Sequence, residues 1–332
     1  MKITFYGTHS YDRHCFSDIN KDFGFELNYH RSFLEKRNAD LTAGAKAVCI
    51  FVNDRADREV LTILKNQGVE LLALRCAGFN NVDLQAASEL GIKVARVPAY
   101  SPYAIAEHAI ALIMALNRKT HRAFYRVRES NFALHGLMGF DLHGKTAGII
   151  GTGKIAKILI NILQGFGVNV LAYDLYPDEE YAKAHNFKYV SLDEIYKNSD
   201  IISLHCPLTA ENHHLINSDS ISKMKPGVML INTARGPLID TDAMLEGLKS
   251  GKVGYAGLDV YEEEAQYFYQ DRSDRVVTDD NLARLLAYNN VLITSHQAFF
   301  TKEAMVNIAT TTLQNVKDFF DGKELVNEVK FK

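Results

Sequence analysis

TAGIIGTGKIAKILINILQGFGVNVLAYD, Thr146 to Asp174, is the stretch whose reading decides the fold. A strand-like run enters Gly151-x-Gly153-x-x-Ala156, a helical pattern follows, and a second strand-like run ends at Asp174. Gly151 permits a tight turn, and Gly153 lets backbone N–H groups approach a pyrophosphate at the positive end of the helix. Ala156 replaces a third glycine, which the fingerprint tolerates. Asp174 falls 23 residues after Gly151. There a carboxylate accepts the hydrogen bonds of a ribose 2′-hydroxyl and repels a 2′-phosphate, favouring NAD over NADP. The bland alternative is a turn that merely packs helix on strand, with Asp174 as an ordinary strand-end charge. The order of strand, turn, helix, strand and acid favours the dinucleotide reading.

Outward from this unit, short β-branched runs alternate with helix-period segments. KITFYG, AVCIFV, LLALRCAG and KVARVPAY precede it; DIISLHC, VMLINTARG, GYAGLDVY and NVLITSH follow it. Such alternation builds βαβ units and parallel sheets covered on both faces. The strands are too many for one sheet of ordinary size. The expected fold is α/β, with two Rossmann-like or flavodoxin-like parallel-sheet domains and a cleft between them. Pro98 ends a strand, Ser101 suits an N-cap and Pro102 the first helical position. The chain crosses back just after His296 through a long helix pattern. The expected domains are thus 101–297 for NAD binding, and a discontinuous domain of 1–100 plus 298–332 for substrate.

The net charge is −3, so no basic excess exists to neutralise a nucleic acid or an anionic membrane. The basic stretch Asn117 to Arg128 reads as a solvated or interface helix face. Four cysteines without a C-x-x-C pair indicate neither a disulfide framework nor a zinc knuckle. The first residues read as a strand and not a signal peptide, and the apolar run Ala109 to Leu116 is too short to span a bilayer. The cytoplasm is the expected location.

In an open α/β fold, ligands lie at the carboxyl ends of strands. Three later strands end on Arg235, on Asp259 followed by Glu262, Glu263 and Glu264, and on His296. Hydride reduction of a 2-oxo acid calls for these residue types. A planar guanidinium grips the carboxylate and polarises the carbonyl. An imidazolium gives a proton to the carbonyl oxygen. A carboxylate orients the imidazole and favours its charged form. The residues alone leave the three glutamates as equal candidates for the last role.

RCAGFNNVD, VPAYSPYAIAEHA, GKTAGIIGTGKIA, ISLHCPLTAENHHLI, INTARGPLIDTDA, LDVYEEE and SHQAFF together carry a resemblance over essentially the whole chain. The sequence resembles the D-isomer-specific 2-hydroxyacid dehydrogenases, and within them the NAD-dependent D-lactate dehydrogenases. The resemblance implies reversible NADH-dependent reduction of pyruvate to D-lactate. Larger 2-oxo acids, or a non-catalytic NAD(H)-sensing binding protein, are the alternatives. It implies Arg235 as the substrate-binding and polarising residue, His296 as general acid/base and Glu264, five residues after Asp259, as the partner of His296. Glu262 and Glu263 are then local or solvated charges. For the cofactor it implies Gly151, Gly153, Lys154, Ile155, Asp174, Cys206, Pro207, Asn212, Thr233, Ala234, Arg235 and Asp259. For the substrate it implies Tyr100, Ala77, Gly78, Arg235 and Phe299. Phe300 departs from a tyrosine that some relatives carry.

Other candidates have blander readings. His205 reads as structural or as part of the cofactor loop. Arg75 is either a second carboxylate clamp or a structural ion pair. His213 and His214 resemble a metal pair only superficially, since neighbours lack the i, i+4 spacing of helical ligands; hydride transfer needs no metal, and none is expected. A homodimer, with a tetramer as the larger alternative, follows from the resemblance, and the helix at Ser101–Asn117 is expected to contribute to its interface.

Overall fold

The structure is a computed structural model that describes residues 1–331. The chain divides into two compact units, 1–101 with 300–332, and 102–299.

The first unit carries β1 (Lys2–Phe5), α1 (Ser10–Ile19), β2 (Glu26–Tyr29), β3 (Ala47–Ile50), α2 (Arg58–Asn66), β4 (Leu71–Leu74), α3 (Leu84–Glu89) and β5 (Lys93–Ala95). Its sheet has the order β2-β1-β3-β4-β5 with every pair parallel. This is a flavodoxin-like doubly wound order, with its switch point beside β1. The central strands AVCI and LLAL are buried at every position, as a sheet covered on both faces requires. Val48, Ile50, Leu72 and Leu74 pack with Val60, Leu61 and Leu64 of α2. Each such side chain contributes about 1.5–3 kcal/mol by burial. Asp57 caps α2 by accepting the Val60 amide.

The C-terminal helix, Lys302–Phe320, starts at its cap Thr301 and packs on α1 and β4. The extended segment after it shields the sheet edge through an isolated bridge of Glu328 to Ala95. Val329 N donates to Val94 O at 2.8 Å and Arg96 N to Asn327 O at 3.1 Å. Covering an edge strand in this way removes a template for unwanted pairing. The alternation of apolar runs did not disclose β2. Its residues Glu26, Leu27, Asn28 and Tyr29 pair on one side only and remain partly exposed.

The second unit opens with α4 (Pro102–Arg118) and α5 (Thr120–Arg128). It continues with β6 (Thr146–Ile150), α6 (Lys154–Gly165), β7 (Asn169–Tyr173), α7 (Glu179–Ala184), β8 (Lys188–Tyr189), α8 (Leu192–Asn198) and β9 (Ile201–Leu204). Then follow α9 (Ser218–Lys223), β10 (Val228–Asn232), α10 (Thr241–Ser250), β11 (Val253–Leu258), α11 (Asp280–Ala287) and β12 (Val291–Ile293). The seven-stranded parallel sheet runs β12-β11-β10-β9-β6-β7-β8. From β8 inward this is the Rossmann order, and its switch point lies between β6 and β9.

Ala106, Ala109, Leu112, Ile113 and Leu116 of α4 are buried with Ala156, Leu159 and Ile160 of α6 and Ile149 and Ile231 of the sheet. The apolar run noted from Ala109 to Leu116 is therefore largely core of this unit. β8, only two residues long, is the other strand that the run pattern did not disclose.

Candidate active site

The turn after β6 is built around a close approach. Gly151 has φ +90°, and a Cβ there would lie 2.5 Å from the Cys206 amide nitrogen. The turns that follow β6 and β9 therefore touch through backbone, and no side chain larger than hydrogen fits between them. Gly153 differs: a Cβ there would meet nothing within 4 Å. Gly153 is the N-cap of α6 and supplies no side-chain cap, so the first-turn amides at Lys154 and Ile155 are left for an anion in open space. Thr233, just past β10, adds a buried hydroxyl with no partner among the described residues. Open room, uncapped amides and an orphaned hydroxyl fit a dinucleotide with its pyrophosphate on the turn.

Asp174 ends β7. Burial pushes its carboxyl up, but donation from the Tyr176 amide, the Thr152 amide and the Thr152 hydroxyl outweighs this and holds it below the usual carboxylate range. Thr152 N and Oγ1 lie 2.6 and 2.9 Å from Asp174 Oδ2, and Tyr176 N lies 2.9 Å from Oδ1. The charge at the end of β7 is thus fixed by the turn itself. Thr152, which also bonds the Tyr189 hydroxyl at 2.8 Å, was not a sequence candidate.

The loop after β9 is pinned by Asn212. Its Nδ2 donates to Pro207 O at 2.7 Å, and its Oδ1 accepts Thr209 N at 2.7 Å. Burial pushes the Cys206 thiol up to about 11, so it stays a neutral apolar contact. His205 faces inward to Ser203 Oγ at 2.8 Å, and burial lowers its imidazole to about 4. It is a neutral structural histidine.

Arg235 follows β10 in a turn organised by buried Asn232, whose side chain accepts Ala234 N at 3.0 Å and donates to Arg235 O at 2.8 Å. The guanidinium is exposed, donates once to Ala234 O at 2.6 Å and forms no ion pair among the described residues. Gly236, the next residue, abuts the turn after β11: a Cβ there would lie 2.2 Å from the Tyr261 carbonyl.

That second turn distributes the three glutamates. Glu262 accepts Thr241 N at 2.8 Å and the Thr241 hydroxyl, and bonds His214 Nε2 at 2.7 Å. It is a tether, not a solvated charge. Glu263 is exposed. Glu264 Oε2 accepts Tyr261 N at 3.0 Å, and its Oε1 lies 2.7 Å from His296 Nδ1. His296 Nε2 makes no hydrogen bond among the described residues.

The loop carrying His296 is held by Asp259, which is 1% exposed. Asp259 Oδ1 accepts Thr294 Oγ1 at 2.5 Å and Gln297 N at 2.9 Å, and Oδ2 accepts Ala298 N at 2.9 Å. His108 of α4 reaches Thr294 Oγ1 at 3.0 Å. The Tyr269 hydroxyl donates to His296 O at 2.9 Å. His296 itself sits at φ +51°, a strained setting for a non-glycine residue. His108, Thr294 and Tyr269 were missed by sequence reading; only the strand-end position of Thr294 offered a signal. Phe299 is buried in this unit.

In the first unit, Arg96 Nη1 holds Ala77 O at 2.8 Å, Gly78 O accepts Cys76 Sγ at 3.2 Å, and Tyr100 O accepts Asn307 Nδ2 at 2.6 Å. Phe300 meets Tyr11 edge-on at 4.7 Å. Arg75 is 2% exposed, with Nε 3.4 Å from Asp12 and Nη2 bonded to Gly7 O at 2.8 Å. That is the structural ion pair, not an accessible clamp.

Residues 110–298 match the family model described as D-isomer specific 2-hydroxyacid dehydrogenase, NAD binding domain. A D-lactate dehydrogenase of Escherichia coli K12 is 52% identical over 329 residues, 99% of this chain and 100% of that protein. The solved D-lactate dehydrogenase of Salmonella is 52% identical with a TM-score of 0.90, covering 99% of this chain and 100% of that one. A solved D-2-hydroxyisocaproate dehydrogenase is 34% identical with a TM-score of 0.87, covering 100% of both chains. The chain belongs to the D-isomer specific 2-hydroxyacid dehydrogenase family, and residues 110–298 are its NAD-binding domain.

Proposed function

We propose that the protein reduces pyruvate to D-lactate, and runs the reverse reaction, with Arg235, Glu264 and His296 as its catalytic residues. The observation that carries this reading is the 2.7 Å contact of His296 Nδ1 with Glu264, which leaves Nε2 unengaged by the described residues. NADH, when bound, supplies the hydride to the substrate C2. His296 gives its Nε2 proton to the C2 oxygen, and the carbonyl becomes a hydroxyl. Glu264 stabilises the imidazolium before that transfer and orients the ring through Nδ1. Arg235 binds the carboxylate with a fork that is free of competing carboxylates in the described residues. Asp259 fixes the loop through its three donors and acts on the chemistry through His296. Tyr100, Ala77, Gly78 and Phe299 are assigned to substrate by the same reading. Gly151, Gly153, Lys154, Ile155, Asp174, Cys206, Pro207, Asn212, Thr233 and Ala234 are assigned to NAD.

The higher identity to the D-lactate dehydrogenases of Escherichia coli and Salmonella than to the hydroxyisocaproate enzyme favours the smaller side chain. A methylene is worth only about 1–3 kcal/mol in such a choice, so the substrate panel decides it. NADH consumption with pyruvate, 2-oxobutyrate, 2-oxoisocaproate and phenylpyruvate is the test. Preference for pyruvate with D-lactate as product is expected; preference for the bulky acids would overturn the lactate assignment.

A homodimer is part of the proposal. Phe124, Tyr125 and Val127 of α5 and Phe132, Leu134 and Met138 beyond it are 53–87% exposed on one continuous segment. So much apolar surface on one segment suits a partner. No helix of the described residues is long and apolar enough to cross a membrane; a cytoplasmic location is our reading.

A further inference from the structure

His213, His214 and Glu262 lie outside the machinery described above, yet the fold brings them together. One ligand atom from each lies within 4.8 Å of the other two. Neighbouring residues seldom present their rings to one point. Here His214 sits at φ +53°, and the two imidazoles lie 3.9 Å apart between centroids. The left-handed setting costs about 1–3 kcal/mol and is held by hydrogen bonds to both the N–H and the C=O of His214. His214 N donates to Pro237 O at 2.9 Å, and Asn217 Nδ2 donates to His214 O at 2.9 Å.

We propose that His213, His214 and Glu262 form a site for a divalent transition ion of the zinc class. Two imidazoles and one carboxylate are a donor set that zinc accepts, with a fourth position left for water. Donors around tetrahedral zinc stand about 3.3 Å apart, so a side-chain rotation of exposed His213 closes the set. Glu262 already has its second oxygen fixed by Thr241 N at 2.8 Å, and a hydrogen bond of this kind orients a metal ligand. The Asp240 carboxylate stands 3.9 Å from His214 Nδ1, close by but beyond hydrogen-bond reach. The ion enters between His214 Nε2 and Glu262 Oε1, now joined by a 2.7 Å hydrogen bond. The proton of that bond leaves to solvent. The ion would tie the loop after β9 to the turn after β11.

Zinc binding to the full-length chain, by competition with a chromophoric chelator, tests the site. The thermal midpoint is read alongside, because an ion bound to the native state raises it. The expected result is one ion per chain, a raised midpoint, and at least a tenfold loss of affinity in His213→Ala. His213 is exposed, so that variant is expected to keep the fold, as far-ultraviolet circular dichroism would verify. Glu262→Gln, which keeps an acceptor for Thr241, should also bind zinc more weakly. Zinc bound equally well by His213→Ala, or no stoichiometric binding by the wild type, would overturn the proposal. Neither outcome bears on the dehydrogenase reading, because no catalytic residue is altered.

Discussion

Glu264 places one oxygen 2.7 Å from His296 Nδ1 and the other 3.0 Å from the Tyr261 amide. The carboxylate is thus fixed at both ends, and its charge acts on the ring from a constant position. Glu264→Gln preserves the shape and removes the charge. A charged acceptor grips the ring nitrogen about twice as strongly as a neutral amide oxygen does. The variant's kcat for pyruvate reduction should therefore fall about 10- to 100-fold, with KM little changed. Steady-state kinetics with pyruvate measure both; an unchanged kcat would sink the assigned role.

Asp259 has three donors on two oxygens: Thr294, Gln297 and Ala298. Asp259→Asn must turn an amide NH2 toward a donor, leaving a buried clash of like groups that costs about 1–3 kcal/mol. The strained His296 backbone rides on this loop. We expect kcat to fall about 10-fold or more with a lowered thermal midpoint, and NADH affinity measured by fluorescence titration to change little. A loss confined to NADH affinity would instead make Asp259 a cofactor contact.

The dinucleotide turn was legible because its parts are local: strand, glycines, helix and acid follow one another within a few tens of residues. The strand ends were legible for the same reason, since strand periodicity places Arg235, Asp259 and His296 without tertiary knowledge. What could not be read were pairings set by the sheet order. Glu262 and Glu264 are two residues apart, yet one meets His214 and the other His296. Nothing in the triplet itself distinguishes them, and the resemblance alone separated them. His108 reaches Thr294 across 186 residues of chain. Gly236 has room for no Cβ because the Tyr261 carbonyl packs against it, a contact that no local sequence pattern displays.

Asp174 is held ionised by the Thr152 and Tyr176 donors. A fixed charge there repels a 2′-phosphate and leaves the 2′-hydroxyl a strong acceptor. Asp174→Ser removes the charge. The preference for NADH over NADPH, measured as the ratio of kcat/KM values, should narrow about 10- to 100-fold, the equivalent of about 1.4–2.8 kcal/mol. An unchanged ratio would remove Asp174 from cofactor discrimination.

His205 links the fold to pH. Burial lowers its imidazole from the ordinary 6.5 to about 4. Between those values the unfolded chain takes up a proton that the folded chain refuses. The stability it contributes is complete above pH 6.5 and is lost as pH falls toward 4. The residue as a whole is half-buried, so the loss is about 2 kcal/mol once solvent screening is allowed for. Buried Asp54 in the other unit works in the opposite sense. Burial raises its carboxyl from 3.8 to about 6, so its contribution is full below 3.8 and is lost as pH rises through 6. The wild-type slope is the sum of both, and the comparison with His205→Asn isolates one. Denaturant unfolding at pH 7 and pH 5 should show the second unit of His205→Asn losing less stability on acidification than wild type. Equal losses would mean that His205 takes its proton without unfolding.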